Sequence, residues 1–263
     1  MLIKNANTAY NHFVSKGIKT LGEPVADPSG KKTFFVSDPF GNIFQFVEAT
    51  DWLMNLGMVN GGSYGAVIGV SDIEKARKTY SDILGYDTVI YDVTGKFNDF
   101  ASLPGGDGTF RRVSLGRSKP FKGGFSPLLG QSTIELIMVK DREPSKIFEN
   151  RLWGDPGFIH LCYDMSGMDN LRKYCRESGS PFTVDSQAKK EGTIFDMGEA
   201  SGHFSYIEDH DGTLIEFVET HKVPILKKLG WYLDLGKRDP HKPLPKWMIR
   251  TLKYSRVKEE KVV

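Results

Sequence analysis

Residues 38–48 read DPFGNIFQFVE and residues 209–219 read DHDGTLIEFVE. Asp, Gly, Phe, Val and Glu coincide at five of the eleven positions, and the eighth letter differs, Gln45 in one copy and Glu216 in the other. Each stretch reads as a turn built on Asp and Gly, followed by a strand in which apolar and polar residues alternate. A chain that writes one hairpin twice is built from repeated units, so the search for the fold starts from what precedes each copy.

Upstream lies a strand followed by a helix. In YGAVIGVSDIEKARKTYSDILGYD, residues 64–87, Ala66, Ile68 and Val70 alternate as a half-buried strand. Ser71 and Glu74 stand at capping-box spacing. Ile73, Ala76, Tyr80, Ile83 and Leu84 recur at helical spacing until Gly85. RRVSLGR (111–117) and STIELIMV (132–139) supply later strands. GFIHLCYDMSGMDNLRKYCRESGS, residues 157–180, repeats the order: the strand FIHLCYD, a start at Ser166, the stripe Met168, Leu171, Tyr174 and Cys175, and a stop at Gly179. The strands HFSYIED and TLIEFVE follow. NANTAYNHFVSKGIKT, residues 5–20, carries the helix of a further copy, with KTFFVSD and NIFQFVE as its hairpin. Aligning Asn5 with Asp72 places most of its leading strand before residue 1.

The expected organisation is therefore an incomplete unit at 1–50 that lacks its first strand, a two-unit domain at 63–220, and a C-terminal segment at 221–263. From Lys222 onward 12 Lys or Arg stand against 4 Asp or Glu. The chain as a whole has a formal charge of only +2, with 39% hydrophobic and 26% charged residues among 263. Those values fit a globular protein with ample material for a core and point to no charged partner. The basic segment, with Trp231, Tyr232, Trp247 and Tyr254 among its lysines, favours a wrap on the domain over nucleic-acid binding. Two cysteines, Cys162 and Cys175, make no disulfide framework and suggest a reducing, cytoplasmic setting. No apolar run reaches membrane-spanning length.

Taken in order and spacing, VIGVSDIEKARKTYSDILGY, GFIHLCYDMSG and the two hairpins resemble the vicinal oxygen chelate superfamily, also called the glyoxalase/bleomycin resistance/dioxygenase superfamily. The resemblance covers residues 1–220. It implies an α+β fold of paired βαβββ modules whose curved mixed sheets enclose a cleft. A divalent metal usually sits in that cleft, held by the first and last strands of each module. Residue by residue, these positions fall on His160 and Glu216 in the third copy and on Glu135 in the second, whose first-strand position is Gly65. In the first copy only Gln45 is present. On this reading the eighth letter of the repeat differs because it is a ligand position.

Strand alternation gives separate support. Glu216, His160 and Glu135 each interrupt an apolar strand, and a lone carboxylate there is costly unless paired or coordinated. Two carboxylates and one imidazole would neutralise a divalent ion and suit Zn, Mn, Fe, Co or Ni. The expected metal site is Glu135, His160 and Glu216. Glu216 and Glu135 are also the expected catalytic carboxylates. His203, placed two residues before Ser205 on a strand expected to pair Ser205 with Glu216, is the expected substrate contact or acid/base. Cys162 is expected on the same face as a small hydrophobe, and one of Arg111 and Arg112 in an ion pair. The chemistry so implied is a metal-dependent lyase or isomerase of the glyoxalase type, with Lewis-acid stabilisation of an enolate or enediolate on a small substrate with adjacent oxygens. Gly65, which cannot ligate, favours the alternative of a metal-free small-molecule binder, such as a resistance or sequestering protein. An extradiol-type dioxygenase ranks third, because one histidine stands where such sites have two. The first module leaves one apolar sheet face to cover, so a homo-oligomer through residues 1–50, or an additional upstream module, is expected.

Overall fold

The structure is a computed structural model in which residues 1–187, 195–196, 201–226 and 230–255 are described. Three modules follow one another. The first comprises β1 (Leu2–Ile3), α1 (Ala6–Ser15), β2 (Thr20–Ala26), β3 (Lys32–Ser37) and β4 (Ile43–Glu48). The second comprises β5 (Gly65–Gly69), α2 (Ile73–Arg77) with a π-helical continuation over Lys78–Ile83, β6 (Thr88–Gly95), β7 (Phe110–Gly116), the short α3 (Ser126–Leu129) and β8 (Thr133–Val139). The third comprises β9 (His160–Asp164), α4 (Met168–Glu177), β10 (Val184–Asp185), β11 (Phe195–Asp196), β12 (Ser201–Glu208) and β13 (Leu214–Leu226). After it come β14 (Trp231–Asp234), α5 (Lys246–Arg250) and a 3-10 turn over Thr251–Ser255. In every module the first strand runs parallel to the last: β1 on β4, β5 on β8, β9 on β13. The fold is thus α+β, with repeated βαβββ-like modules on mixed sheets. The leading strand of the first module is two residues long, with Leu2 opposite Val47.

Four of the five shared letters of the hairpins, Asp, Gly, Phe and Glu, have direct structural causes. Asp38 Oδ1 accepts from the backbone N–H of Phe40 and Asn42 at 2.9 and 2.8 Å. Asp209 Oδ1 accepts from those of Asp211 and Thr213 at 2.9 and 2.8 Å. Each aspartate thus closes its own turn. Gly41 and Gly212 both have φ +87°, the left-handed region where a Cβ is penalised. Phe46 and Phe217 are buried in their modules' cores, and Val47 and Val218 occupy the next strand positions. The final glutamate serves the helix of its own module. Glu48 Oε1 accepts from Ala6 N–H at 2.7 Å, and Glu219 Oε1 from Gly167 N–H at 2.5 Å. These are first-turn donors that the helices leave unpaired, and the negative charge suits the positive end of each helix. Helix starts shift by one residue from expectation. Asp72, rather than Ser71, caps α2 through Lys75 N–H at 3.0 Å. Gly167, rather than Ser166, precedes α4.

The second and third modules share one core, in which Ile73, Tyr80, Val113, Leu115, Ile134 and Leu136 meet Met168, Cys175, Ile207, Ile215 and Phe217. The third module's turn docks on the second module's helix. Tyr80 OH donates to Asp209 Oδ2 at 2.8 Å, and Ser71 N–H to Asp211 Oδ2 at 2.8 Å. In the first module α1 packs Ala6, Ala9 and Phe13 on Phe34, Val36 and Phe46. The opposite sheet face was expected to need cover from a second chain or from an additional upstream module. Instead Phe35 on that face is buried with Phe100 and Phe110 of the second module, and Leu21, Ile43 and Phe97 pack around them. Phe97 and Phe100, between β6 and β7, and Phe110, the first residue of β7, provide this cover, and their reach is a tertiary property. β13 continues past residue 220 and pairs with β14, Val223 opposite Leu233, so the basic segment begins as sheet. Residues 227–229 and 256–263 of that segment lie outside the described residues. No helix among the described residues is long and apolar enough to cross a membrane.

Candidate functional site

Glu216 on β13 lies opposite Tyr206 on β12 and Cys162 on β9. Its two oxygens are both engaged. Tyr206 OH donates to Oε1 at 2.7 Å, and His160 Nε2 lies 3.0 Å from Oε2. The Trp153 indole stacks on the His160 ring, with centroids 6.0 Å apart and planes 23° apart, and meets Tyr206 edge-on. His160 Nδ1 is buried and has no partner among the described residues. Trp153, Val184, Phe204, Tyr206, Leu214 and Glu216 enclose a cavity of about 460 Å3. His160 lines a separate, larger cavity of about 1610 Å3 that reaches Glu135 and the first module's Phe35 and Gln45. The His160–Glu216 pair therefore stands between the two. Burial first, then the hydrogen bond and charge of Glu216, raise the Tyr206 pKa. The same causes push the Cys162 thiol up to about 12. Both groups stay protonated at neutral pH and serve as donors or as wall.

Glu135 does not join this pair. It faces the larger cavity from β8, where Arg112 Nε donates to its Oε1 at 2.5 Å. The same guanidinium binds both oxygens of Asp99 at 2.8 Å and lies 3.7 Å over the centre of the Phe100 ring. Arg112 and Asp99 side chains are 0% and 2% exposed. Burial lowers the Arg112 pKa on its own, but the hydrogen bond and charge of Glu135 and the charge of Asp99 outweigh it, and Arg112 stays protonated. Burial raises the pKa of both carboxyls, with Arg112 opposing. Register confirms the equivalence of positions: Gly65 lies opposite Thr133, two before Glu135, as His160 lies opposite Leu214, two before Glu216. At Gly65, however, a Cβ would sit 1.9 Å from the Thr133 carbonyl oxygen, so no side chain fits there.

His203 is not on the face of Glu216. It pairs with Glu219, while Ser205 pairs with Phe217, on the face turned to the core. The expected register was one residue off because the connecting loop holds five residues, Asp209–Thr213, closed by Asp209 N–H on the Thr213 carbonyl. On that face His203, Glu219 and His221 bring three ligand atoms within 4.8 Å of one another, the one such group among the described residues. Burial, then the neighbouring His221, hold the His203 pKa below its usual value. Of the expected metal set Glu135, His160 and Glu216, only the last two converge. Two donors fall short of the three or four that a resident divalent ion takes from protein, so the residues present do not fit a metal at this place. Sequence reasoning missed Tyr206, Trp153 and Asp99. The signal for Tyr206 was its place across the hairpin from Glu216, once the loop is counted correctly.

No curated protein matches the chain in sequence. Among solved structures, a glyoxalase family protein from Enterococcus faecalis is 16% identical, with 60% of this chain and 97% of that one covered and a TM-score of 0.40. The V278E mutant of glyoxalase I from Zea mays is 15% identical, with 83% of this chain and 66% of that one covered and a TM-score of 0.49. A glyoxalase family protein from Bacillus cereus is 12% identical, with 60% and 93% covered and a TM-score of 0.43. The family model that matches, over residues 66–195, spans the second module and the start of the third. Residues 66–195 belong to the Glyoxalase/Bleomycin resistance protein/Dioxygenase superfamily.

Proposed function

We propose that the chain binds a small, largely apolar organic molecule carrying a hydrogen-bond donor, at the His160–Glu216 pair and without a metal there. The observation that carries this reading is the buried, unpartnered Nδ1 of His160, which lines the larger cavity, while its partner Glu216 lines the aromatic-walled cavity of about 460 Å3. In the tautomer whose Nε2–H donates to Glu216, the imidazole presents Nδ1 as an acceptor. A ligand O–H or N–H supplies the missing partner, and Trp153 and Tyr206 offer ring faces to an apolar body. The volume lies in the range of small-molecule sites. Glu216, fixed by Tyr206 and His160 together, orients the imidazole and selects its tautomer.

A metal-dependent lyase or isomerase of the glyoxalase type is the second reading, supported by superfamily membership and the 3.0 Å approach of His160 to Glu216. Against it, Glu135 is spent on Arg112 and Gly65 admits no side chain. An assembly through residues 1–50 has less to bury than expected, since Phe35 is already covered within the chain.

The two readings separate in a ligand screen followed by Trp fluorescence, using small phenols, enols and α-hydroxycarbonyl compounds, with and without EDTA. Quenching that survives EDTA, disappears in Trp153→Phe and weakens at least about tenfold in His160→Ala supports the binder; a lost acceptor contact to a buried donor is worth about 1–3 kcal/mol. Quenching that EDTA abolishes and His160→Ala also abolishes would overturn it in favour of metal-dependent chemistry.

A further inference from the structure

We infer that His203, Glu219 and His221 form a second site, for a transition-metal dication, on the face of the third sheet opposite the His160 pocket. This inference does not rest on the pocket. Its first support is geometric. His203 Nδ1 lies 3.7 Å and His221 Nε2 3.5 Å from the same oxygen, Glu219 Oε2. Charge-assisted hydrogen bonds run at about 2.7–2.9 Å, so neither contact is a formed one. Ligands about 2.0–2.1 Å from a tetrahedral ion are about 3.3–3.4 Å apart along each edge. Two of the three edges are thus within a few tenths of an ångström of that spacing, the third lies within 4.8 Å, and the two imidazoles stand edge to face with their centroids 4.7 Å apart.

The second support comes from the internal repeat. The corresponding glutamate of the first module, Glu48, does the same structural work as Glu219, accepting from the first N–H of its helix. That work explains the glutamate in both copies. It does not explain the histidines. Two residues after Glu48 the first module has Thr50, and the residue before Thr33, which pairs with Val47, is Lys32. Only the third module places imidazoles at these two positions, one across the hairpin and one along the strand. Strand geometry puts all three on one face, since residues two apart share a face and paired residues are neighbours.

The third support is the setting. Glu219 Oε1 is held by Gly167 N–H at 2.5 Å, while Oε2, the oxygen facing the two imidazoles, takes only a long 3.4 Å contact from Met168 N–H that an ion would have to share or displace. Such a hydrogen bond on the far oxygen is the usual way a ligating carboxylate is oriented. The three side chains are 11%, 17% and 24% exposed, sheltered yet within reach of solvent. Two histidines and one carboxylate give a donor set suited to Zn, Fe(II), Co or Ni, with at least one position left open. The Gln187 amide nitrogen lies 2.9 Å from His203 Nδ1 and must withdraw when the ion binds.

Co(II) and Zn(II) titrations of the tag-free full chain test this, with Co(II) followed by its visible band and Zn(II) by competition and elemental analysis. One ion per chain is expected, with affinity falling at least about tenfold in His221→Ala and in His203→Asn and unchanged in His160→Ala and Glu216→Gln. Glu219→Gln keeps an oxygen for Gly167 and is expected to lose the ion while retaining the far-UV spectrum. If it unfolds, His221→Ala decides, because that side chain carries no helix cap. Absence of binding, wild-type affinity retained in the His221 and His203 variants, or loss in His160→Ala instead would each overturn the inference.

Discussion

Arg112 holds two buried carboxylates, and Arg112→Met asks what they cost without it. The guanidinium lies 2.5 Å from Glu135 and 2.8 Å from Asp99, with all three side chains nearly or fully buried. At an effective dielectric near 20, one contact of about 2.8 Å corresponds to about 6 kcal/mol of Coulomb attraction, before the cost of desolvation is set against it. Methionine keeps part of the packing on Phe97 and Phe100 and forfeits the charge. Breaking a buried pair from one side typically costs about 3–5 kcal/mol, because the other side is left charged and dry; that is the loss expected here in urea unfolding followed by circular dichroism. The pH dependence has a definite sign. Both carboxyls already have raised pKa values from burial, with Arg112 opposing. A carboxyl with a raised folded pKa adds stability below its ordinary value near 4 and loses it as the pH climbs through the folded value. Without Arg112 both are pushed higher still, so the variant weakens more steeply than wild type from about pH 4 upward. The triple variant Arg112→Met, Glu135→Gln, Asp99→Asn carries no buried charge and is expected to recover most of the loss. A single variant within about 1 kcal/mol of wild type, or a triple variant no better than the single, would refute the account.

Gly65→Ala drives a Cβ to 1.9 Å from the Thr133 carbonyl and is expected to separate β5 from β8 at that point; a loss above about 2 kcal/mol by thermal unfolding is the check. Tyr80→Phe leaves Asp209 Oδ2 without its 2.8 Å donor, at a cost of about 1–3 kcal/mol, and hydrogen exchange at the Asp209–Thr213 turn should quicken. Deleting residues 1–60 uncovers Phe100 and Phe110, which Phe35 buries; sedimentation of the truncated chain should show self-association beyond that of the intact chain, and a clean monomer would mean that the second module closes over its own aromatics.

The repeated hairpin carried the fold by itself. Asp38 and Asp209 close their turns with their own neighbours' N–H groups, Gly41 and Gly212 supply the positive φ, and alternation sorts Phe46 and Phe217 from Gln45 and Glu216. All of these are interactions within a few residues or along one strand, so composition and spacing expose them. The site was legible only in part. Glu216 and His160 meet because the first strand of a module runs parallel beside its last, a consequence of the module itself. The partner of Glu135 was not legible, because a carboxylate on β8 finds whichever cation β7 turns toward it, and Arg111 and Arg112 differ only in which side of the strand they occupy. Arg111 reaches outward to Asp92 and Glu74, and Arg112 inward to Glu135 and Asp99. The face of His203 hung on whether the Asp209–Thr213 loop counts four residues or five, since one residue of register exchanges the two sides of a strand. The cover over the first module's sheet came from aromatics between β6 and β7 and at the start of β7, whose place against Phe35 no local pattern encodes. Local hydrogen bonding and side-chain period are written along the chain; which charged group neutralises which, and which face is covered, are decided when separate strands are brought together.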